Sequence, residues 1–352
     1  MALVRVLFIN PKAYLPQLLG GVETTTCDLA EHLARAGHSA AVMCQLARHD
    51  WLWARNRLAS RLRGLAFPAD EYRGARVYRG YDHASALAEV LADFRPERLV
   101  IMGGSERSFE LAERCRESGV RTLFYFHELV ALRRDPGHSV PDGVPVLANS
   151  HYTAQAVREL LHREAIAIPP LVDPARYRVS TSRKHVTMIN PRGLKGGETA
   201  VELARACPEI PFQFIEAWRP DDTVAPLRAL AQRLPNVSWR RPTHDMLGVY
   251  ATTRILLVPS TWEETWGRVV TEAQASGIPA LARAVAALPE SVGPAGVLME
   301  RDAPLQAWVE ALRSVWNDQD RYAELVAQAF AFAQRPQAQP AQRVADFLAA
   351  LG

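Results

Sequence analysis

Two glutamates, Glu264 and Glu272, stand eight positions apart in the stretch PSTWEETWGRVVTEAQASGIP, with Glu263, Trp262, Trp266 and Gly267 among them. In continuous helix the pair would lie about 12 Å apart along the axis, turned about 80° from each other. Ser260 to Trp266 has no helical apolar spacing, however, so Glu264 is expected in a loop. Glu272 then falls in the second turn of a helix starting near Gly267. So placed, the two carboxylates grip different parts of one elongated ligand. The competing reading is an ordinary acidic helix start, a role that Glu263 alone fills at a gain of about 0.3 kcal/mol from the helix dipole.

Three other stretches carry residues suited to ligands. In INPRGLKGGETA (189–200), Arg192 and Lys195 occupy a glycine-containing loop. Two cations and the N–H groups of a following helix make a diphosphate cradle, and GxxxxGK[ST] is absent, so it is not a P-loop. In NPKAYLPQLLGGVE (10–23), Gly20 and Gly21 stand where a helix begins. Glycines there admit a ligand to the backbone and free N–H groups favour an anion; otherwise the pair is a plain glycine turn. About ten residues separate strand from helix, too many for GxGxxG and a nicotinamide-binding domain. In FYFHELVAL (124–132), His127 and Glu128 follow an apolar run. His127 either donates to a ligand hydroxyl and shuttles a proton, or is a buried structural histidine.

The elements that must position these groups alternate strand and helix. VRVLFIN (4–10), SAAVMCQ (39–45), RLVIMGG (98–104), RTLFYF (121–126) and VPVLANS (144–150) read as buried strands, with a helix over 22–35 after the first. Prolines and polar residues in 166–185 break the rhythm. It resumes with VTMIN (186–190), a helix over 197–206, FQFIEA (212–217), a helix over 222–233, NVSWR (236–240) and a helix over 244–253. ILLVP (255–259), a helix over 267–276, PALA (279–282) and helices over 304–316 and 318–333 complete it. Alternating β and α means parallel sheets flanked by helices, with ligands beyond the carboxyl ends of the strands. The expected domains are 1–170, a linker over 171–185, a second domain over 186–333, and a tail helix over 334–352 reaching back to the first.

Composition sets the limits. At 352 residues, with 48% hydrophobic and 22% charged, the chain suits two globular domains. A net charge of +3 is too weak to argue for nucleic acid. Cys27, Cys44, Cys115 and Cys207 show no CxxC spacing, which suggests reduced thiols in a cytoplasmic protein. The opening MALVRVLFINPKAY reads as a first strand rather than a signal peptide, and no run approaches the roughly 20 apolar residues of a membrane span.

Taken together the motifs resemble the family-4 retaining glycosyltransferases of GT-B fold. PSTWEETWGRVVTEAQASGIP matches that family's P-S-x-x-E-x-x-G-x(4)-E-A-x-A-x-G-x-P signature, with Ser276 at the second small position. GGVETTTCDLAEHLARAGHSAAVM, FYFHEL, VLANSHYTAQAV, IPPLVDPARY and LKGGETAVELA match in order. The resemblance implies an α/β fold of two Rossmann-like parallel-sheet domains facing each other across a cleft. It implies transfer of a sugar from a nucleotide-diphosphate donor to a glycan, lipid-linked or small-molecule acceptor hydroxyl, with retention and without a metal or other cofactor. Glu272 would bind the donor ribose and Glu264 the transferred sugar. The backbone of Thr265, Trp266, Gly267, Arg268 and Val269 would touch sugar and diphosphate, with the Trp266 ring as a wall of the sugar pocket. Lys195 would neutralise the departing diphosphate, His127 would contact the donor sugar, and Gly20 and Gly21 would admit phosphates and acceptor. Asn190 and Arg192 join the donor set. Asn190 stands where the family usually has arginine, and Arg192 is a substitute from the loop. Within the same fold a nucleotide-sugar hydrolase or epimerase, or an inactive sugar-nucleotide-binding protein, is the alternative.

Residues 48–67, RHDWLWARNRLASRLRGLAF, read as an amphipathic helix with Trp51, Ala54, Leu58, Leu62 and Leu65 on one face and Arg57, Arg61 and Arg63 on the other. A basic helix of this kind lies on an anionic membrane, here the inner face, or packs on its own domain with a solvated arginine face. The arginines also suit an anionic acceptor.

Overall fold

A computed structural model describes residues 3–48, 51–64, 68–81, 83–218 and 220–352. Backbone contacts divide the chain into two compact units, residues 1–171 with 340–352, and residues 172–339.

The first unit contains strands β1 (Arg5–Ala13), β2 (Ser39–Gln45), β3 (Ala69–Tyr72), β4 (Ala75–Gly80), β5 (Arg98–Gly103), β6 (Arg121–Phe126), β7 (Val146–Ala148) and β8 (Ile166–Ala167). The helices are α1 (Gly21–Arg35), α2 (Trp51–Arg63), α3 (His83–Phe94), α4 (Glu106–Glu117), α5 (Val130–Arg134) and α6 (His151–Leu161). Among the described residues the strands form one sheet in the order β3-β4-β2-β1-β5-β6-β7-β8, parallel except for the β3–β4 hairpin. Both faces are covered, so the central strands are apolar throughout rather than alternating. Successive side chains still part to opposite faces. Leu7, Ile9, Met43, Leu99, Ile101, Phe124 and Phe126 enter one core, with Leu111 and Cys115 of α4. Val6, Phe8, Val42, Val100, Leu123 and Tyr125 enter the other, with Leu29 and Leu33 of α1.

The second unit contains α7 (Pro174–Tyr177), β9 (His185–Ile189), α8 (Gly197–Ala206), β10 (Phe212–Ile215), α9 (Val224–Ala231), β11 (Val237–Arg240), α10 (Met246–Tyr250), β12 (Thr253–Val258), α11 (Arg268–Gln274), β13 (Ala280–Arg283), α12 (Leu288–Val292), β14 (Gly296–Met299), α13 (Leu305–Asn317) and α14 (Gln319–Gln334). Its sheet is wholly parallel, in the order β11-β10-β9-β12-β13-β14. A last helix, α15 (Pro340–Leu351), belongs to the first unit. Val344, Phe347 and Leu351 lie in the α1-side core, where the Phe347 ring stacks on Phe8 at 5.8 Å.

In each sheet the chain starts in the middle and later crosses to the other side. β1 has β2 on one flank and β5 on the other; β9 has β10 and β12. The crevice beyond the carboxyl ends of such strands is where open α/β sheets hold ligands. It follows that the loops after β1, β9 and β12 are the ones to inspect.

Of the two readings of 48–67, packing of the apolar stripe on its own domain is not what helix α2 does. Trp51, Leu58 and Leu62 are 67%, 58% and 76% exposed, and Ala54 is exposed too. Leu52 and Asn56 are the buried residues that seat the helix. Leu65 and the Arg63 side chain, named above for the two faces, lie outside the described residues.

Candidate functional site

In the second unit the loops after β9 and β12 are joined edge to edge. The N–H groups of Thr261 and Trp262 donate to the Leu194 carbonyl at 3.1 and 2.9 Å. Gly196 makes this approach possible. Its φ is +81°, and a Cβ there would lie 2.2 Å from the carbonyl oxygen of Pro259. Just before it, Gly193–Lys195 form a single 3₁₀ turn. That turn aims Lys195 across the junction, where its Nζ lies 2.6 Å from Oε1 of Glu264. Both side chains are mostly buried, 23% and 14% exposed.

Glu264 is in a loop, and α11 begins at Arg268, with Gly267 as the preceding residue at φ +82°. Glu272 lies in the second turn, 6% exposed. Its Oε1 accepts from Nε of Arg268, one turn earlier, at 2.9 Å. Its Oε2 accepts from the Tyr250 hydroxyl at 3.0 Å. The Arg268 side chain is therefore committed to Glu272, and its Nη2 is 3.5 Å from the Tyr177 hydroxyl. Burial first, and then the Glu272 charge, push the Tyr250 hydroxyl well above its ordinary pKa, so it remains a donor. Trp266 is 5% exposed and its indole N–H donates to Thr271 at 3.0 Å. Its polar atom is used in the first turn of α11. Val269 follows at the same helix start.

The other members of the donor set sit on the same edge. Asn190 follows β9 in the left-handed region, φ +61°, which asparagine tolerates better than most residues. Its N–H donates to Ile215, and its buried side-chain oxygen has no hydrogen-bond partner among the described residues. Arg192 lies 3.9 Å from Asp221 in the loop after β10, and the N–H of Gly193 donates to Thr223 at 2.9 Å. The loops after β10, β9 and β12, neighbouring strands, are thus tied in series. Trp218 and His244, after β10 and β11, stack at 4.3 Å, with Trp218 46% exposed.

The first unit offers a second group of candidates. Gly20 and Gly21 open α1, which has no side-chain cap. A Cβ on Gly21 would meet nothing within 4 Å, so packing does not demand glycine there. His127 follows β6, 7% exposed, its ring 4.2 Å from that of Tyr125 and its N–H donating to Gly103. Beside it, Glu128 pairs with Lys12 at 2.8 Å. No group of acidic, histidine or cysteine side chains suited to a metal occurs among the described residues.

The arrangement is a cation, two carboxylates and a buried amide oxygen gathered at a sheet switch point, which suits an anionic ligand rich in hydroxyls. Residues 19–176 match the model for Glycosyltransferase Family 4, and residues 208–318 the model for Glycosyl transferases group 1. The chain belongs to the family-4 glycosyltransferases of GT-B fold. It is accordingly an enzyme of the glycosyltransferase class. The glycosyltransferase is 39% identical over 83 residues to a D-inositol 3-phosphate glycosyltransferase of Corynebacterium kroppenstedtii. That match spans 23% of this chain and about a fifth, 18%, of the relative. Among solved structures, HepE of Anabaena in complex with UDP and glucose aligns over 99% of each chain at a TM-score of 0.77 and 17% identity. A glycosyltransferase of Rickettsia africae aligns over 100% of this chain and 98% of its own at 0.75 and 13% identity. At those identities the likeness is one of fold.

Sequence reasoning did not name Tyr250 or Tyr177 as partners of the Arg268–Glu272 pair. Tyr250 is 22 positions from Glu272 and on another helix, so no spacing rule links them.

Proposed function

We propose that this glycosyltransferase moves a sugar from a nucleoside-diphosphate donor to an acceptor hydroxyl with retention of configuration and without a metal. The observation that carries the reading is the Lys195–Glu264 pair, a cation held 2.6 Å from a carboxylate where the loops after β9 and β12 meet. In the free enzyme the two charges satisfy each other. A donor diphosphate brings more negative charge than one carboxylate and would draw the ammonium to itself. Glu264 would then be released to accept from hydroxyls of the sugar. As the sugar leaves, charge grows on the diphosphate, and a fixed cation lowers the barrier because it interacts more strongly with the transition state than with the bound donor.

Glu272, oriented by Arg268 and Tyr250, accepts from the ribose hydroxyls in this reading, and the unpartnered oxygen of Asn190 takes a further donor from the ligand. Arg192, close to Asp221, is a second cation for the phosphates. The backbone of Thr265 to Val269 belongs to the donor set by the family resemblance. Gly20, Gly21 and His127 are assigned to phosphate, acceptor and sugar on the same basis, and the open space at Gly21 supports it. The donor class is also supported by the UDP and UDP-glucose bound to HepE of Anabaena. The acceptor is a glycan, lipid-linked or small-molecule hydroxyl.

Product analysis with and without a panel of acceptors tests the reading. A glycoside with the anomeric configuration of the donor, formed only with acceptor and insensitive to chelator, supports it. Release of free sugar, or a change in the donor sugar without acceptor, makes the enzyme a hydrolase or epimerase. Inversion or loss of activity with chelator removes the corresponding part.

A further inference from the structure

We propose that Arg283 is a positioning residue for the diphosphate site, holding the loop after β12 on which the Lys195 turn is built. The inference rests on the reading of Lys195 as the cation that meets the donor diphosphate.

Arg283 ends β13 at the carboxyl edge of the second sheet, 7% exposed. It stands beside Met299 of β14, and its neighbour Ala282 stands beside Val258 of β12. Strand alternation sends its side chain to the face that Leu281 shares with Trp308 of α13. There the guanidinium lies 5.2 Å from the ring centroid of Trp308, which is fully buried. Its Nε donates to the Pro259 carbonyl at 3.3 Å, and its Nη1 donates to the Arg301 carbonyl. Among the described residues no carboxylate pairs with it. Burial lowers its pKa from the ordinary arginine value, opposed by the charge of Asp302. A buried charge without an opposite charge at contact is costly, and here its acceptors are two loop carbonyls. The guanidinium therefore stitches the loops after β12 and β14 together from the strand between them.

The Pro259 peptide is the surface on which the Lys195 turn rests. A Cβ on Gly196 would lie 2.2 Å from the Pro259 carbonyl oxygen and 2.9 Å from its Cγ. On the other side of Lys195, the Leu194 carbonyl accepts from the Ser260 hydroxyl at 3.3 Å and from the N–H groups of Thr261 and Trp262 at 3.1 and 2.9 Å. Lys195 is thus bracketed by two residues that residues 259–262 hold in place. The segment after β13 reaches the other member of the pair as well. The N–H of Ala287 donates to the Glu264 carbonyl at 2.9 Å. Ala286 before it has φ +49°, a conformation alanine keeps only where its surroundings impose it. Residues 283–287 accordingly support the backbone on both sides of the Lys195–Glu264 pair. A cation stabilises developing charge well only when it is fixed in advance, so a residue that sets the Pro259 peptide sets how well Lys195 meets the diphosphate.

Calorimetric titration with the mono- and diphosphate of the preferred nucleoside tests this in Arg283→Met, Lys195→Ala and the double variant. Arg283→Met removes the charge and both donors and leaves an unbranched apolar stem against Trp308. The diphosphate affinity should fall about tenfold, the size of loss that follows removal of a residue orienting a metal ligand. The monophosphate affinity should stay within about twofold of the parent, and the double variant should match Lys195→Ala to within about twofold, because Arg283 acts through Lys195. Should Arg283→Met fail to fold, Arg283→Gln, neutral but still a donor, carries the same readings. Unchanged diphosphate affinity, equal losses for the two phosphates, or losses that add in the double variant overturn the inference and leave the Lys195 reading standing. A parent enzyme that does not favour the diphosphate, or a preference that survives Lys195→Ala, overturns the Lys195 reading and this inference with it.

Discussion

Replacing Lys195 by alanine should separate catalysis from stability. The Lys195 ammonium and Glu264 carboxylate are 2.6 Å apart. At an effective dielectric near 20 their gross attraction is roughly 6 kcal/mol. Desolvating both groups offsets most of that, and Glu264 keeps 14% of its side chain accessible, so water can replace the lost cation. We place the net loss of stability at about 1–2 kcal/mol, between an exposed pair and a fully buried one. In a domain of this size that lowers Tm by roughly 2–8 °C. Catalysis should suffer more. Removing one group that stabilises transition-state charge lowers kcat about 100- to 1,000-fold. Arg268→Ala is the contrast. It strands the buried Glu272 carboxylate with only Tyr250 of the two partners described, and a broken buried pair is expected to lower stability by about 3–5 kcal/mol. Calorimetric Tm and kcat for the two variants give the answer. Should Lys195→Ala unfold as readily as Arg268→Ala, or keep kcat within about threefold of the parent, the electrostatic role assigned to Lys195 is wrong.

Tyr250→Phe should remove a hydrogen bond to a charged group and lower stability by about 1.5–3 kcal/mol, measured by urea unfolding, with ribose-containing ligands binding more weakly. Gly196→Ala places a Cβ against the Pro259 carbonyl at positive φ and should destabilise by roughly 2–5 kcal/mol, whereas Gly21→Ala, with open space around it, should melt no lower than the parent and still impair transfer. Burial raises Tyr14, Tyr125 and Tyr250 above the ordinary phenol range. Below about pH 10 these groups are protonated in both states and contribute no slope; above it the unfolded chain loses their protons first, so stability should fall as pH rises, seen as declining Tm together with delayed tyrosinate absorbance. Cys44 and Cys115 are both pushed up to about 12 by burial, so a thiol reagent should label neither until the protein unfolds.

The alternation of strands and helices, and the loops that carry the candidate groups, were legible because buried parallel strands are short apolar runs that punctuate themselves. VTMIN, FQFIEA and ILLVP became β9, β10 and β12 within a residue or two at their ends. The segment 69–94 was not read, although Arg73 and Gly74 at positive φ make the tight β3–β4 turn. Its strands are at the sheet edge, where one short strand is half exposed and charged, ADEY, and lacks the apolar run that marks a central strand. A helix was read over 48–67 and α2 runs Trp51–Arg63, but periodicity alone cannot say which side faces the domain. Asn56 and Asp70, polar and 14 positions apart, decide that by pairing. Arg268 likewise could be placed at the start of α11 but not aimed; its turn toward Glu272 depends on a carboxylate one helical turn on and two tyrosines from other helices.

The account rests on a diphosphate being recognised by Lys195, and calorimetric titration with paired nucleoside mono- and diphosphates tests that directly. For the nucleoside the enzyme prefers among uridine, guanosine, adenosine and thymidine, the diphosphate should bind at least tenfold more tightly than the monophosphate, and Lys195→Ala should erase most of that difference while the monophosphate affinity holds. Equal affinity for the two phosphates in the parent enzyme, or a preference that survives intact in Lys195→Ala, would contradict it.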